Sequence, residues 1–511
     1  MSHEDNRVEL EARRQRAMQM GGEKKLKQRA EQGVLNARSR LDALLDAGTF
    51  REVGLLARSI RKEDRDSTPA DGKVSGFGHV AGRDIAVVSN DLTVKGASSS
   101  ATNAKKVAYI KRTATRSGMP IVFLGESSGA RMPDTMGAES MSQGGADPEQ
   151  YCRRRDTPWV SAILGPCYGS STWYTCLSDF RVMRKGATLA VSSARVTSLA
   201  IGESVDAEEL GGWRLHSEVT GLADAVVDTD EEALEKVRSF LSYLPAHAGE
   251  APPVQAPGTW SAPDAETLLD LIPTQRTRTY DIRKVIRAIA DDGSVFPLKE
   301  RFGKAVVTTL ARLEGQSVGF LATNPFIRGG AMDPDACRKA TDFMVMCDSF
   351  NIPLVLLVDT PGFLVGVSGE RKAAPAHIMN MMHALQLVSV PKVSVILRKS
   401  YGQAFLNMGG GRNSDEIAAW TSAEVSFMDP GVGVSVVYGL KREDNAEAFD
   451  AACDSLRADT SAYDMASVFG VQTVIDPRET REFLTRSLAL HRRRRSNGVG
   501  QHHMANWPTY F

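Results

Sequence analysis

The sequence predicts an α/β protein made of two copies of one domain, and three observations support this prediction. Apolar runs typical of buried parallel strands alternate with helical spans along most of the chain. A shift of 233 residues places residues 119–132 (MPIVFLGESSGARM) on residues 352–365 (IPLVLLVDTPGFLV). A proline-rich segment without periodicity, residues 246–263, lies between the two copies and is typical of a linker. We therefore predict one domain over residues 1–250 and a second over residues 264–511.

The internal repeat extends well beyond one strand. The same shift places residues 160–171 (VSAILGPCYGSS) on residues 393–404 (VSVILRKSYGQA), and it holds without a gap over about 90 residues. In each copy one apolar strand ends in a glycine turn and a later strand ends in a Tyr-Gly turn. Glycine turns leave backbone N–H groups open to a ligand, and paired N–H groups hold negative oxygens in many enzymes. The repeat therefore predicts an oxyanion-binding turn in each copy.

Composition and charge exclude several classes of function. Lys and Arg total 62, as do Asp and Glu, so the balanced charge gives no reason to expect nucleic-acid binding. No apolar run approaches the roughly 20 residues of a membrane span, and the charged N-terminus lacks the apolar stretch of a signal peptide. The six cysteines form no C-x-x-C pair, which predicts reduced thiols in a cytoplasmic protein rather than a zinc site.

Both ends of the chain carry many charged residues. Residues 8–46 are rich in Glu, Lys, Arg and Ala, with Gly21–Gly22 as a break, so we predict two surface helices with solvated charges. Four arginines at 492–495 are interpreted as a solvated helix end. His502 and His503 lack further ligands nearby and do not indicate a metal site.

The stretch GESSGAR, residues 125–131, contains the G-x-S-x-G spacing of the nucleophile elbow of serine hydrolases. In the second copy Thr360 takes the place of Ser127, so the copies share the strand and the glycine rather than this serine. The residues that follow are a poor helix pattern, and no Asp…His pair stands out downstream. We therefore interpret Ser127 as a turn residue. Glu126 and Asp359 end the matching strands, and we expect them to be helix caps or turn residues.

Five separated motifs resemble the carboxyltransferase β subunits of biotin-dependent acyl-CoA carboxylases, with the propionyl-CoA and methylmalonyl-CoA carboxyltransferases as the nearest type. The motifs are DGKVSGFGHVAGRDIAVVSNDLTVKGAS, ESSGARM, AEELGGWRLHSEVTGLAD, VDTPGFLVG and RKSYGQAF. The resemblance implies two tandem crotonase-like domains, each a spiral of ββα units. It also implies a homo-hexamer whose active site lies between the first domain of one subunit, which binds acyl-CoA, and the second domain of its neighbour, which binds biotin.

The implied reaction moves a carboxyl group from carboxybiotin, carried on a partner subunit, to the α-carbon of a short acyl-CoA such as propionyl-CoA. It places negative charge on the thioester oxygen and on the biotin ureido oxygen. By motif position, the N–H groups of Ser128 and Gly129 are implied to hold the thioester enolate, and those of Gln403 and Ala404 the ureido oxygen. The implied substrate-binding residues are Ala130, Gly169, Ser170 and Leu406.

The chain departs from the family pattern at three positions. Ser128 and Gln403 stand where the family usually has glycine, and Leu406 stands where it often has an acidic residue. An apolar wall at Leu406 predicts a preference for propionyl-CoA or a somewhat larger acyl-CoA over acetyl-CoA. The chain lacks a phosphate-binding P-loop and the Met-Lys-Met sequence that receives biotin. We therefore expect it to depend on a biotin carboxylase and biotin carrier partner and to hold no metal.

Other interpretations stay open. A biotin-dependent decarboxylase or transcarboxylase runs the same half-reaction toward a different partner. A non-catalytic structural paralogue that assembles with an active carboxylase subunit is compatible with the altered motifs. A serine hydrolase built on Ser127 is the interpretation that the sequence favours least.

Overall fold

The computed structural model describes residues 2–142 and 147–508. The chain divides into two compact units, the first made of residues up to 242 with 246–249 and 508, and the second made of residues 243–245 and 250–507. Within the proline-rich segment, residues 251–260 form neither helix nor strand. Gln255 in this segment donates its backbone N–H to the carbonyl of Gly315, so the segment lies along the second unit.

The first unit contains one sheet with antiparallel pairing among its first three strands and parallel pairing elsewhere. The strand order is β1-β2-β3-β4-β5-β6-β8, with β7 beside β5. The strands are β1 Arg51–Glu52, β2 Lys73–Val80, β3 Arg83–Asn90, β4 Ile121–Ser128, β5 Trp159–Tyr168, β6 Phe180–Arg184, β7 Thr188–Ala190 and β8 Ala225–Val227. The α-helices are α1 His3–Met18, α2 Glu23–Glu31, α3 Ala37–Leu44, α4 Ala101–Ser117, α5 Met132–Thr135, α6 Ala138–Ser142, α7 Pro148–Tyr151, α8 Ser170–Cys176, α9 Ala194–Ile201, α10 Ala207–Gly211 and α11 Asp230–Tyr243.

The second unit repeats this topology strand for strand. Its order is β9-β10-β11-β12-β13-β14-β16, with β15 beside β13. The strands are β9 Phe296–Leu298, β10 Val306–Leu313, β11 Gln316–Thr323, β12 Leu354–Thr360, β13 Lys392–Tyr401, β14 Glu416–Trp420, β15 Glu424–Ser426 and β16 Thr473–Ile475. The α-helices are α12 Ala262–Leu271, α13 Ile282–Ile289, α14 Pro334–Ser349, α15 Val367–Glu370, α16 Ala374–Leu387, α17 Gly402–Asn407, α18 Pro430–Tyr438, α19 Ala446–Arg457, α20 Ala462–Ser467 and α21 Thr480–Arg492.

The register of the strands confirms the predicted duplication. Gly76 pairs with Val87 in the first unit, and the residues 233 positions later, Thr309 and Phe320, pair in the second. The register between β4 and β5 shifts between Gly125 and Ser127, and the register between β12 and β13 shifts at the equivalent place. Every residue of β12 is buried, as expected for a central parallel strand covered on both faces.

The N-terminal region differs from its prediction. It forms three helices rather than two, because Asn36 caps α3 by accepting the N–H groups of Arg38 and Ser39. The charges are not all solvated either, since Arg29 and Arg40 are buried. A helix pattern in the sequence records which residues share a face, but not whether another element covers that face.

The arginines at the C-terminal end of α21 also form more hydrogen bonds and ion pairs than predicted. Arg492 donates to the carbonyl of Ser317, and Arg494 donates to the carbonyl of Ser389 and forms an ion pair with Asp415. The interpretation as a purely solvated helix end is therefore wrong for these two residues. The two carbonyl partners lie 175 and 105 residues away in the sequence, too far for a local pattern to indicate.

Candidate active site

The glycine turn after β4 holds the side chain of Ser127 inside the protein. The Ser127 hydroxyl donates to the carbonyl of Ala97 over 3.3 Å and accepts the N–H of Gly129 over 3.1 Å. In the second unit Thr360 makes the equivalent bonds to the carbonyl of Gly330 and the N–H of Gly362. Both hydroxyls are fully buried, so each one fastens its turn rather than facing a substrate.

Ser127→Ala is expected to lower the free energy of unfolding of the first unit by about 1–3 kcal/mol, because a buried carbonyl and a buried N–H lose their partner. Ser127→Thr introduces the residue of the second unit and should lower the free energy of unfolding less than Ser127→Ala. Urea unfolding followed by circular dichroism measures both changes. Covalent labelling of Ser127 by a fluorophosphonate in the folded protein would contradict the turn role and restore the nucleophile.

The turn places four of the sequence-predicted site residues next to one another. Gly129 has a backbone φ of +99°, which favours glycine, and Gly169 lies so close that a Cβ on it would be 3.2 Å from the Gly129 Cα. The hydroxyl of Ser128, an exposed residue, donates to the carbonyl of Gly96 over 3.1 Å. The hydroxyl of Ser170 is hydrogen bonded to that of Ser99, and the N–H of Ser99 donates to the carbonyl of Gly129.

Backbone N–H groups at the start of α8 and α17 form the second feature of the site. Ser170 and Ser171 begin α8, and Gln403 and Ala404 occupy the equivalent positions in α17. First-turn N–H groups of a helix have no acceptor within the helix, so they are donors for an outside oxygen. By contrast, the N–H of Gly129 is already bonded within its turn.

The structure places the remaining predicted residues as follows. Ala130 is exposed and follows directly on Gly129. In α17, Ala404 is buried, whereas the Gln403 side chain is exposed and donates to Asn407 over 2.9 Å. Leu406 is half-buried, and its side chain lies against Gly411 in the loop after the helix.

A charged cluster beside the second turn was missed by sequence reasoning. The Tyr401 hydroxyl donates to Glu424 over 2.8 Å and accepts from Arg276, whose guanidinium also pairs with Asp429 over 3.0 Å. Burial, reinforced by the Glu424 carboxylate, raises the pKa of Tyr401, which therefore stays protonated. The available signal was that Tyr168 and Tyr401 occupy equivalent positions; Tyr168 instead bonds the hydroxyl of Thr188.

Glu126 and Asp359 are neither helix caps nor simple turn residues. Both carboxylates are buried at the register shifts of β4 and β12 and form ion pairs. Glu126 accepts from Arg29 over 2.8 Å and from Arg40 over 2.7 Å, and Arg40 also pairs with Asp230. Asp359 accepts from Arg398 over 2.8 Å, and Arg398 stands at the position equivalent to Gly165. The buried carboxylate at this equivalent position is thus neutralised by arginines of the N-terminal helices in the first unit and by an arginine of β13 in the second.

Two structural features are absent from the described part of the chain. No group of three or more His, Cys, Asp or Glu side chains among residues 2–142 and 147–508 is arranged to hold a metal ion. Within the same ranges, no helix combines the length and the apolar character needed to cross a bilayer.

Comparison with known proteins decides the family. The model of the carboxyl transferase domain matches residues 28–504. The chain belongs to the carboxyl transferase family. The carboxyltransferase subunit of propionyl-CoA carboxylase from Haloferax mediterranei is 34% identical, over 98% of this chain and 99% of that protein. The methylmalonyl-CoA carboxyltransferase 12S subunit from Propionibacterium freudenreichii subsp. shermanii is also 34% identical, over 99% of this chain and 97% of that protein.

A solved structure of the family confirms the predicted fold. The crystal structure of transcarboxylase 12S, with methylmalonyl-coenzyme A and methylmalonic acid bound, matches this carboxyl transferase with a TM-score of 0.88 at 33% identity, over 96% of each chain. The duplicated crotonase-like architecture implied by the sequence motifs is therefore correct. The family and the burial of Ser127 together argue against a serine hydrolase.

Proposed function

We propose that this protein moves the carboxyl group of carboxybiotin, carried on a partner subunit, to the α-carbon of a short acyl-CoA resembling propionyl-CoA. The proposal is supported by the family, and by relatives named for propionyl-CoA and methylmalonyl-CoA. The observation that carries it is the repeated turn and helix start, which gives each unit one pair of first-turn N–H donors. A reaction that develops two oxyanions uses two such pairs.

Each donor pair has one role in this proposal. The N–H groups of Gln403 and Ala404 hold the ureido oxygen, and a donor pair in the first unit holds the thioester oxygen as the α-proton leaves. When bound, carboxybiotin supplies the carboxyl group together with a ureido nitrogen that accepts this proton. The buried Ala404 fixes its N–H near the start of α17, so the donor needs no reorganisation during the reaction.

The donor pair of the first unit is either Ser128–Gly129, as the motif position implied, or Ser170–Ser171. We favour Ser170–Ser171 because these residues are equivalent to Gln403–Ala404 and because the N–H of Gly129 is already bonded. In the second unit the residue equivalent to Ser128 is Pro361, which has no N–H to donate.

Two proline substitutions separate these pairs. Ser128→Pro copies Pro361 and should retain most activity, whereas Ser171→Pro should lower kcat by about 10²–10³ because it removes an oxyanion donor. Ser171→Ala keeps the N–H and is the matched control for loss of the hydroxyl, which bonds Tyr174. Steady-state kinetics with a carboxylated biotin carrier measures kcat. The opposite ranking of the two proline variants would assign the role to Ser128–Gly129.

Leu406 is expected to favour acyl groups that are themselves apolar. A methylene contact in an apolar pocket discriminates by about 1–3 kcal/mol, so propionyl-CoA should exceed acetyl-CoA in kcat/KM by about 10-fold or more. Leu406→Asp should narrow or reverse this order, and Leu406→Met is the conservative control. If the ratios across an acyl-CoA series do not move, Leu406 does not line the acyl pocket, and Ser128 and Ser170 are the next residues to test.

A reconstituted assay tests the proposed function. The purified chain is mixed with a biotin carboxylase and biotinylated carrier, ATP and labelled bicarbonate, and acyl-CoAs are compared for incorporation of label. We expect incorporation that requires both the carrier and this chain. We also propose that the chain itself carries no biotin and assembles as a homo-hexamer, as in the relative whose structure describes hexamer assembly.

Another relative suggests that the chain could work in the opposite direction. The alpha subunit of methylmalonyl-CoA decarboxylase from Veillonella parvula is 31% identical over 94% of this chain. Transfer of carboxyl groups from a carboxyacyl-CoA to an uncharged carrier, without incorporation of label into an acyl-CoA, would favour the decarboxylase or transcarboxylase direction. A folded chain without transfer in either direction would be a structural paralogue.

A further inference from the structure

The second unit contains a cavity of about 470 Å³ between α13, the strands β9 and β10, and the loop after β11. Cavities of this size hold small organic ligands. None of the residues of the candidate donor turns lines it, so it is separate from the proposed chemistry within this unit.

The lining combines an apolar floor with a cationic rim. The apolar side chains include Ile286, Val295, Leu298, Val307 and Phe326. The charged residues of the rim are Arg283, Arg287, Arg301, Lys304 and Glu300. Arg283 is already paired with Asp281 over 2.7 Å, so Arg287, Arg301 and Lys304 face the single carboxylate of Glu300 above an apolar surface that suits a ring or an alkyl chain. This combination suits an amphipathic anion that carries several negative charges.

Two of these cations are not held in a direct ion pair, although the charge of Arg287 also acts on the carboxylate of Asp281. Arg287 and Lys304 are exposed and form no ion pair with any residue that the structure describes. Lys339 also lines the cavity, but its ammonium is bound to the carbonyls of Phe302 and Val306 over 3.0 and 2.9 Å. The charge most open to a ligand is therefore that of Arg287 and Lys304.

The internal duplication shows that the position equivalent to Phe326 is covered in the first unit. Phe326 corresponds to Thr93, whose hydroxyl accepts the N–H of Gly21 and whose carbonyl accepts the ammonium of Lys25. Thr93 is 5% exposed under this cover, whereas Phe326 is 60% exposed. The covering segment, which reads GGEKKLK from Gly21, is basic and does not complement a cationic rim. Charge therefore argues against a second copy of that segment as the occupant.

We propose that this cavity binds a nucleoside diphosphate, with the phosphates at the cationic rim and the base against the ring of Phe326. A diphosphate concentrates about three negative charges near pH 7 in one group, which complements the positive charge of the rim, and arginine forks suit phosphate oxygens. Any nucleobase can stack on an aromatic ring, and an exposed phenylalanine offers such a ring. A fatty carboxylate, with a single negative charge, would leave part of the rim charge unpaired.

Isothermal titration of the whole protein with ADP tests the proposal. We expect Arg287→Glu with Lys304→Glu to weaken ADP binding by at least about 10-fold, since charge-assisted bonds to phosphate are lost. Phe326→Ala should weaken ADP binding while leaving pyrophosphate binding unchanged. Lys284→Glu, on the same helix but outside the cavity, is the matched control and should change neither. Thermal unfolding checks that each variant is folded.

Several results would overturn this assignment. One is the absence of ADP binding to the wild-type protein. Another is ADP binding that the cavity variants leave unchanged and that coenzyme A displaces, because the nucleotide would then occupy an acyl-CoA site. Pyrophosphate binding as tightly as ADP would show a phosphate site without nucleoside recognition. A change of oligomeric state in the double variant, without ADP binding to the wild type, would assign the surface to a second copy of the chain.

Discussion

Replacing Ala404 with proline is expected to lower kcat by about 10²–10³ while the second unit stays folded. Ala404 lies in the first turn of α17, where its N–H has no acceptor within the helix and where proline is sterically tolerated. The substitution therefore removes one donor from the proposed ureido site without breaking a hydrogen bond within the helix. Steady-state kinetics with a carboxylated biotin carrier measures the loss, and circular dichroism verifies the fold.

Ala404→Ser is the matched control for this experiment. It keeps the N–H and places the residue of the first unit, Ser171, at the equivalent position. Because Ala404 is buried, the added hydroxyl costs some stability, but kcat should remain close to that of the wild type. A folded Ala404→Pro protein with wild-type kcat would show that this N–H does not take part in the reaction.

Arg40→Leu is expected to lower the free energy of unfolding of the first unit by about 3–5 kcal/mol. Arg40 is fully buried between Glu126 and Asp230, which are also buried, so the substitution strands two carboxylates without their main counter-charge. Arg29 still pairs with Glu126 in this variant, so we expect a loss near the lower end of this range. Urea unfolding followed by circular dichroism, with the first transition assigned by limited proteolysis, gives the change.

Arg7→Leu provides the comparison for Arg40→Leu. Arg7 pairs with Glu4 on α1, and its side chain is 76% exposed, so its replacement should lower the free energy of unfolding far less than that of Arg40. Equal effects of the two substitutions would contradict the view that the buried carboxylate of Glu126 is held by α2 and α3. The comparison also separates burial from charge, since both variants remove one arginine.

The repeat in the sequence was enough to predict most of the scaffold. Apolar strands, glycine turns and a shift of 233 residues predicted two related α/β units, and the registers of both sheets agree. The same comparison predicted that Ser127 is a turn residue, because Thr360 takes its place and makes the same bonds. These successes depend on local patterns repeated twice, which the sequence records directly.

Contacts between segments that are distant in the sequence could not be predicted from such local patterns. Arg29 and Arg40 reach Glu126 across 97 and 86 residues, and nothing in a charged helix indicates which carboxylate it will meet. Arg276 reaches Tyr401 across 125 residues. Which N–H groups of a glycine turn remain available also depends on the fold, since Gly129 uses its own within the turn. Local sequence indicates that a turn exists, whereas packing decides what each of its atoms does.

The most direct test of the central claim uses this chain alone, with methylmalonyl-CoA and free biotin. Carboxyl transfer is reversible chemistry, so a carboxyltransferase should pass the carboxyl group from the thioester to biotin and leave propionyl-CoA, which chromatography measures. We expect propionyl-CoA formation that depends on biotin and is lost in Ala404→Pro. A folded wild-type chain that forms no propionyl-CoA in the presence of biotin, or forms as much without it, would contradict the proposed carboxyl transfer.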